Sequence, residues 1–349
     1  MSEKRDFQEL VDNVISTDKC AGCGACFVVC PYKGVLEYVD EEPKLVGECK
    51  KCDVCLRVCP RYETSMEEME DFVFDRKRTA EESFGVYRGL FMARSTDKKI
   101  LERCQDGGLV TSLLVGALES GIIDGAIVSG VDPAKPWLPI PLVAKTREEI
   151  IENAGTRYSY SPNLLAIKEA LSSGLKKIGF VGTPCQIQAI RKIQMVPLRK
   201  YAKAISFTVG LFCTESFSYE GLMIEKIQRD LGLNLEDVSK INIKGKLLVY
   251  MENGEVHKIS LKEAKLYSRP KCQDCDDFSA ELADISAGGI GLESWTMAIV
   301  RTDRGAEVFE NAVDKGLIEV KKAEEFKSSL NLLVKLSKSK QRRATLKNC

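Results

Sequence analysis

Fourteen cysteines and a single histidine, His257, mark the chemistry open to this 349-residue chain. Cys20, Cys23, Cys26 and Cys30, followed by Pro31, spell C-x2-C-x2-C-x3-C-P, and Cys49, Cys52, Cys55 and Cys59, followed by Pro60, repeat the pattern. Such short steps wrap a tight loop around one cubane, so that three thiolates reach three irons. The fourth cysteine, expected at the start of a helix, points away and ligates the other cluster of a two-cluster unit. On that rule Cys20, Cys23, Cys26 and Cys59 hold one 4Fe-4S cluster, and Cys49, Cys52, Cys55 and Cys30 hold the other. Zinc knuckles are the alternative, but zinc sites use two C-x2-C pairs with a longer spacer, and zinc enzymes and haem proteins usually draw on imidazole. Gly22 and Gly24 let backbone amides approach the sulfides, and Val28, Val29, Val35 and Leu36 can cover them. A unit this small has little apolar core, so its clusters must supply much of its stability.

Six cysteines remain. Cys185 follows a strand in Gly182-Thr183-Pro184-Cys185, Cys213 follows another in Leu211-Phe212-Cys213-Thr214, and Cys272 and Cys275 form a C-x2-C loop. Strand ends in an α/β sheet gather on one edge, so these four thiolates can meet in a third metal site. Two buried structural cysteines beside a zinc- or redox-type pair are the other reading of the same spacing. Cys104 and Cys349 have no spacing that recruits them, and read as a packed residue and a free tail thiol.

Glycine-rich and hydroxyl-rich segments mark places for a cofactor. Gln105-Asp106-Gly107-Gly108, with Thr111 on the first turn, precedes a helix whose free amides would face a phosphate or a flavin oxygen. Gly155-Thr156-Arg157-Tyr158-Ser159-Tyr160-Ser161-Pro162-Asn163 offers hydroxyls, an amide, a guanidinium and two aromatic rings before another helix start, and Ala287-Gly288-Gly289-Ile290-Gly291 is a third flexible turn. No G-x-G-x-x-G links a strand to a helix, which excludes the standard dinucleotide fingerprint.

The elements that position these residues alternate. Apolar strands are expected at 126–129, 178–181 and 204–211, with helices over 108–119, after Pro162 and over 187–192. Asn253-Gly254 between two alternating runs predicts an antiparallel hairpin with a type I′ turn, which would place His257 on the surface. The expected organisation is a two-cluster ferredoxin-type unit over 1–62, a charge-dense linker or surface helix over 63–83, an α/β core over 84–320, and an amphipathic helix with a basic tail over 321–349. That helix is read as packing on its own domain, with docking on a partner subunit or anionic lipid as the alternative. Fifty-one basic residues balance fifty-one acidic ones, so no global field favours nucleic acid. The best candidate for a membrane span, Leu109 to Val131, is broken by Glu119 and Asp124, and the polar start from Ser2 to Asp6 lacks the apolar core of a signal peptide. A cytoplasmic protein is expected, where cysteine more often holds metal than pairs as disulfide.

Gln105-Asp106-Gly107-Gly108 with Thr111, Gly155-Thr156-Arg157-Tyr158, Gly182-Thr183-Pro184-Cys185-Gln186, Phe212-Cys213, Cys272-Gln273-Asp274-Cys275 and Ala283-Asp284-Ile285-Ser286 resemble, in order and spacing, the family of beta subunits of coenzyme F420-reducing hydrogenases and dehydrogenases, over about residues 84–310. The resemblance implies an α/β flavoprotein that binds FAD through Gln105, Asp106, Gly107, Gly108, Thr111, Gly155, Thr156, Arg157, Tyr158, Ser159, Ser161, Pro162, Asn163, Thr183 and Pro184. It also implies a 4Fe-4S cluster on Cys185, Cys213, Cys272 and Cys275, making three clusters in all. A ferredoxin-type unit fused ahead of it looks most like the dehydrogenase branch, whose module passes electrons to a respiratory complex. Other subunits, peripheral membrane association through one of them, or a soluble heterodisulfide reductase as acceptor are the implied partners. F420 carries a phosphate and acidic glutamyl groups, so Arg157, Lys176, Lys177, Arg191, Lys192, Arg269 and Lys271 are candidate contacts for it. The rival expectations are a polyferredoxin-like wiring subunit without flavin, and the same flavin and iron-sulfur module working with another donor or running in the direction of F420 reduction.

Overall fold

The computed structural model describes residues 5–347; Cys349 and the first four residues lie outside them. Among the described residues thirteen strands run in chain order: β1 (Leu36–Val39), β2 (Glu42–Leu45), β3 (Gly89–Ser95), β4 (Gly125–Val131), β5 (Pro139–Ala144), β6 (Ile178–Gly182), β7 (Ile205–Leu211), β8 (Val238–Ile243), β9 (Lys246–Met251), β10 (Val256–Ser260), β11 (Ile285–Gly288), β12 (Thr296–Val300) and β13 (Ile318–Lys322). Eight of them form one mixed sheet in the order β13-β3-β12-β11-β7-β6-β4-β5. The middle four, β11, β7, β6 and β4, are parallel, and antiparallel strands extend the sheet on both sides. β6 is buried at every position, as an interior parallel strand must be, whereas β5 carries Pro139 and Pro141 at one edge and β13 ends the other with Lys321 and Lys322 exposed.

Alternation splits the strand side chains between two faces. Ala126 and Val128 join a core beneath the Leu109–Glu119 and Asp303–Asp314 helices, while Ile127 joins a second core with the Ala166–Ser172 and Pro184–Met195 helices. That second core also takes in Cys23, Ala25, Val28, Val29 and Val58, so the cysteine-rich segment is packed onto the sheet unit. Val28 and Val29 thus face the sheet's helices. Val35 and Leu36 stay beside the cysteines, together with Phe7, Leu10 and Val14 of an N-terminal helical stretch.

The expected hairpin is the second half of a three-stranded meander, β8-β9-β10. Its turn is not type I′: Gly254 alone has positive φ (+89°), its N–H bonds Met251 O at 3.0 Å, and the N–H of Met251 bonds Glu255 O at 2.9 Å. A type I turn closed by a left-handed glycine meets the same strand twist with one such residue. His257, on β10, is half-buried beside Glu255 rather than freely exposed.

The charge-dense stretch after the cysteines contains the Met66–Phe74 helix, capped by Ser65. Met69 and Glu70 are buried, and Arg78 bridges Glu70 to Glu281 of the sheet unit, the latter at 2.5 Å. The C-terminal amphipathic helix, Lys327–Lys347, lies on its own domain, with Leu333 fully buried in a core shared with β3 and β12. Among the described residues no helix is long and apolar enough to cross a membrane.

Candidate functional site

Parallel strands end together, and the C-terminal ends of β4, β6, β7 and β11 form the floor of a cleft. Gln105, Asp106, Gly108, Thr111, Gly155, Thr156, Arg157, Ser159, Ser161, Asn163 and Thr183 line it, as do Ala287, Gly288 and Gly289. Gly107, Tyr158, Pro162 and Pro184 do not. Gly107 is held under the sheet edge, its N–H on Thr296 Oγ1 at 3.0 Å, and Pro184 opens the helix after β6. Tyr158 packs partly into the meander's core, and Pro162 introduces a short 3-10 turn. Ser129, Gln186 and Ser216 also line the cleft; no motif marks Ser129 or Ser216, because a single serine near a strand end has no spacing to distinguish it.

The wall offers unused polar atoms. Arg157 Nε, Ser159 Oγ, Tyr160 OH and Gln186 Oε1 are buried without a hydrogen-bond partner, while Arg157 Nη1 donates to Ala154 O and Gly155 O at 2.9 and 3.0 Å. Burial pulls the Arg157 guanidinium below its usual range and pushes the Tyr160 phenol well above its own. Asn163, by contrast, is fully engaged, accepting from Ser161 and Ser129 and donating to Val181 O at 2.8 Å. The meander leans over the rim, where Gln105 donates to Ile241 O at 3.1 Å and Lys240 donates to Gln105 O at 2.9 Å. Burial raises the Asp106 carboxyl, with Lys240 and Lys244 acting against it.

Of the seven candidate cations only Arg157 lines the cleft. Lys176 and Lys177 precede β6, at the opposite edge of the sheet, and Arg191 is buried against Asp284 at 3.1 Å. Lys192 donates to Tyr62 O at 2.8 Å, and Lys271 pairs with Glu42, so both tie the cysteine segment down. Arg269 stacks over the Tyr160 ring at 3.8 Å and pairs with Glu41 at 2.7 Å.

The twelve motif cysteines fall into three groups. Burial first, and then the charges of Cys59 and Cys20, push Cys23 well above the ordinary thiol range; Cys26 is raised in the same way by Cys23, Cys59 and Cys20. Cys30, Cys49, Cys52 and Cys55 share the lining of a small cavity, and burial, then Cys49 and Cys52, push Cys55 up to about 12. Cys213 is pushed up to about 12 by burial, with Cys272, Cys275 and Cys185 adding to it. These neighbours link Cys20, Cys23, Cys26 and Cys59, Cys30 with Cys49, Cys52 and Cys55, and Cys185 with Cys213, Cys272 and Cys275, while Cys185 also lies near Cys23 and Cys55 near Cys26. The fourth cysteines, however, sit at the ends of the short helices Ala25–Val29 and Val54–Arg57, because Cys26 and Cys55 are already helical. Among the described residues no three His, Cys, Asp or Glu side chains close on one point as a single ion requires.

The turns behind the first two groups repeat. Gly22 and Gly24 have φ of +68° and +78°, and Lys51 and Asp53, at the same places in the second motif, have +52° and +55°. Amides do approach sulfur, the N–H of Gly22 reaching Cys20 Sγ at 3.4 Å and that of Ser216 reaching Cys272 Sγ at 3.4 Å. The third group adjoins the cleft, since Thr183 lines it and its hydroxyl lies 3.4 Å from Cys185 Sγ. It adjoins the first group as well, Cys185 being among the charges that raise Cys23. Cys104 is packed, its thiol on Asp106 O at 3.0 Å.

Comparison with known proteins matches residues 175–326 to the C-terminal part, and 90–168 to the N-terminal part, of the coenzyme F420 hydrogenase/dehydrogenase beta subunit; residues 12–60 match a 4Fe-4S dicluster domain. The beta subunit of the coenzyme F420 hydrogenase of Methanosarcina barkeri is 46% identical over 73% of this chain and 89% of its own length. A subunit of the F(420)H(2) dehydrogenase of Methanosarcina mazei is 30% identical over 95% of this chain and 92% of its own. A chain in the solved F420-reducing [NiFe] hydrogenase complex of Methanosarcina barkeri superposes with a TM-score of 0.74 at 43% identity, covering 77% of this chain and 94% of that one. The chain therefore belongs to the family of coenzyme F420 hydrogenase/dehydrogenase beta subunits, with a 4Fe-4S ferredoxin domain joined at its N-terminal side.

Proposed function

We propose that this chain oxidises reduced coenzyme F420 in the cleft, with FAD bound there, and delivers single electrons through three 4Fe-4S clusters to a partner complex in the cytoplasm, soluble or on the membrane's inner face. The observation that carries the reading is the unbroken succession from the cleft through Thr183 to Cys185, and from Cys185 to Cys23. A flavin in the cleft would supply the conversion between a hydride and single electrons.

The residues present suit such a group. The unpartnered Arg157 Nε, Ser159 Oγ and Gln186 Oε1 are a donor and acceptors for a polar ring edge or a phosphate, and the Leu109–Glu119 helix presents its first amides beside Gly108. Cys20, Cys23, Cys26 and Cys59 would hold the first cluster, Cys30, Cys49, Cys52 and Cys55 the second, and Cys185, Cys213, Cys272 and Cys275 the third. No side chain is asked to act as acid or base in the hydride transfer itself; the protons left behind when the electrons depart singly would go to solvent at the cleft mouth. The meander's overhang, fastened by Gln105 and Lys240, narrows the mouth and limits water.

Anaerobic mixing with reduced F420, against NADH and NADPH, tests the donor. F420 should bleach a flavin absorbance that the nicotinamides leave untouched, and failure to bleach removes F420 as donor. Iron without flavin in the purified protein would favour a wiring role instead.

A further inference from the structure

The third sulfur group is enclosed by cations that neither the cleft nor the cysteine spacing calls for. Lys340 comes from the C-terminal helix and is only 4% exposed; its ammonium donates to Cys213 O at 2.6 Å and hydrogen-bonds the Cys275 side chain. Arg61 comes from the ferredoxin domain, far from Lys340 in sequence and two residues past Cys59. Its guanidinium also hydrogen-bonds Cys275 and lies beside Cys185, with its buried Nε unpartnered. Asp276 lies near Arg61 and Asp277 near Lys340, and Asp277 also accepts from the N–H of Glu281.

Buried cations without full pairing are expensive, and they persist where something anionic completes them. Four thiolates holding a cluster are such an anion. Its reduction adds one electron and no proton, so each reduced cluster carries one more negative charge than the oxidised form. A fixed positive charge against a ligand sulfur favours the more negative form, and net charge and hydrogen bonds to sulfur are what set cluster potentials.

We propose that Lys340 and Arg61 are positioning residues that raise the reduction potential of the cluster held by Cys185, Cys213, Cys272 and Cys275. The inference rests on the reading of those cysteines as cluster ligands. Because Arg61 belongs to the ferredoxin domain and Lys340 to the C-terminal helix, the cluster nearest the cleft acquires its full potential only when both are docked on the sheet unit.

The test is an EPR-monitored redox titration of the full chain, purified anaerobically with its clusters and flavin. The third cluster's signal is identified by its loss in Cys185→Ala. Lys340→Met and Arg61→Leu should each shift that midpoint to more negative potential while the cluster of Cys30, Cys49, Cys52 and Cys55 stays in place, and Lys340→Arg should restore it. Unmoved midpoints in both apolar variants overturn the proposal, as does an equal shift in Lys340→Arg, which would mean packing rather than charge. Should Lys340→Met lose iron, Arg61→Leu decides. A wild-type chain with only two clusters would overturn the underlying ligand assignment instead, a different result from three clusters with unmoved potentials.

Discussion

Lys51 and Asp53 occupy left-handed backbone where the first cysteine motif uses glycine. For a residue with a Cβ that conformation costs roughly 1–2 kcal/mol, so Lys51→Gly should stabilise the loaded protein by about 1 kcal/mol, seen as a higher thermal midpoint. Gly22→Ala should do the opposite and reduce iron content, because its Cβ would lie 2.6 Å from Arg269 Nη2 and 2.7 Å from Glu41 O. A second expectation concerns protons. Burial, and next Asp277, push the Glu281 carboxyl up to about 8 against the pull of Arg78 and Arg301. Between the ordinary carboxylate value and about 8 the folded chain therefore keeps a proton that the unfolded chain releases, and stability falls as pH rises through that window. Thermal midpoints of Glu281→Gln and the parent, measured from pH 5 to pH 8, should converge or cross in the variant's favour with rising pH. Parallel curves would remove Glu281 as the source.

At the scale of elements, the C-terminal helix joins core to cofactor site. Leu333 is fully buried among residues of β3 and β12, and Leu333→Ala should cost about 2–5 kcal/mol by denaturant titration, with faster loss of iron to a chelator as the helix loosens over Cys213. How far these elements were readable depended on their local signal. β4, β6 and β7 are apolar runs with turn residues at both ends, and their strand ends located Cys185 and Cys213 correctly on one edge. β11 was invisible, since Ile-Ser-Ala-Gly reads as part of a glycine turn; it is a strand because β7 and β12 hydrogen-bond it on both sides. Its Ala287 and Gly288, and Gly289 just past its end, line the cleft for the same reason. Lys340 read as one more charge in a basic tail, and only tertiary packing puts it under cover. The seven candidate cations show the reverse error: charge marks a residue as polar, whereas its place on the sheet decides whether it meets the cleft.

For the whole molecule, the cysteine segment and the sheet unit share a core through Cys23, Val28, Val29 and Val58 against Ile187 and Ile190. Iron removal should therefore not melt the ferredoxin domain in isolation. After chelation under reducing conditions, amide exchange should rise first in residues 12–60 and next in the Pro184–Met195 helix, while β3, β12 and β13 keep their protection. A uniform rise across all of them would contradict this order. The guanidinium of Arg78, gripping Glu70 on one side and Glu281 on the other, turns the stretch after the cysteines into a strut. A carrier that commutes between donor and acceptor on a swinging tether slows as the medium thickens; a braced one has nowhere to travel. Internal electron delivery in this chain should accordingly run at the same rate in sucrose solution as in dilute buffer, leaving only encounter with outside molecules sensitive to viscosity.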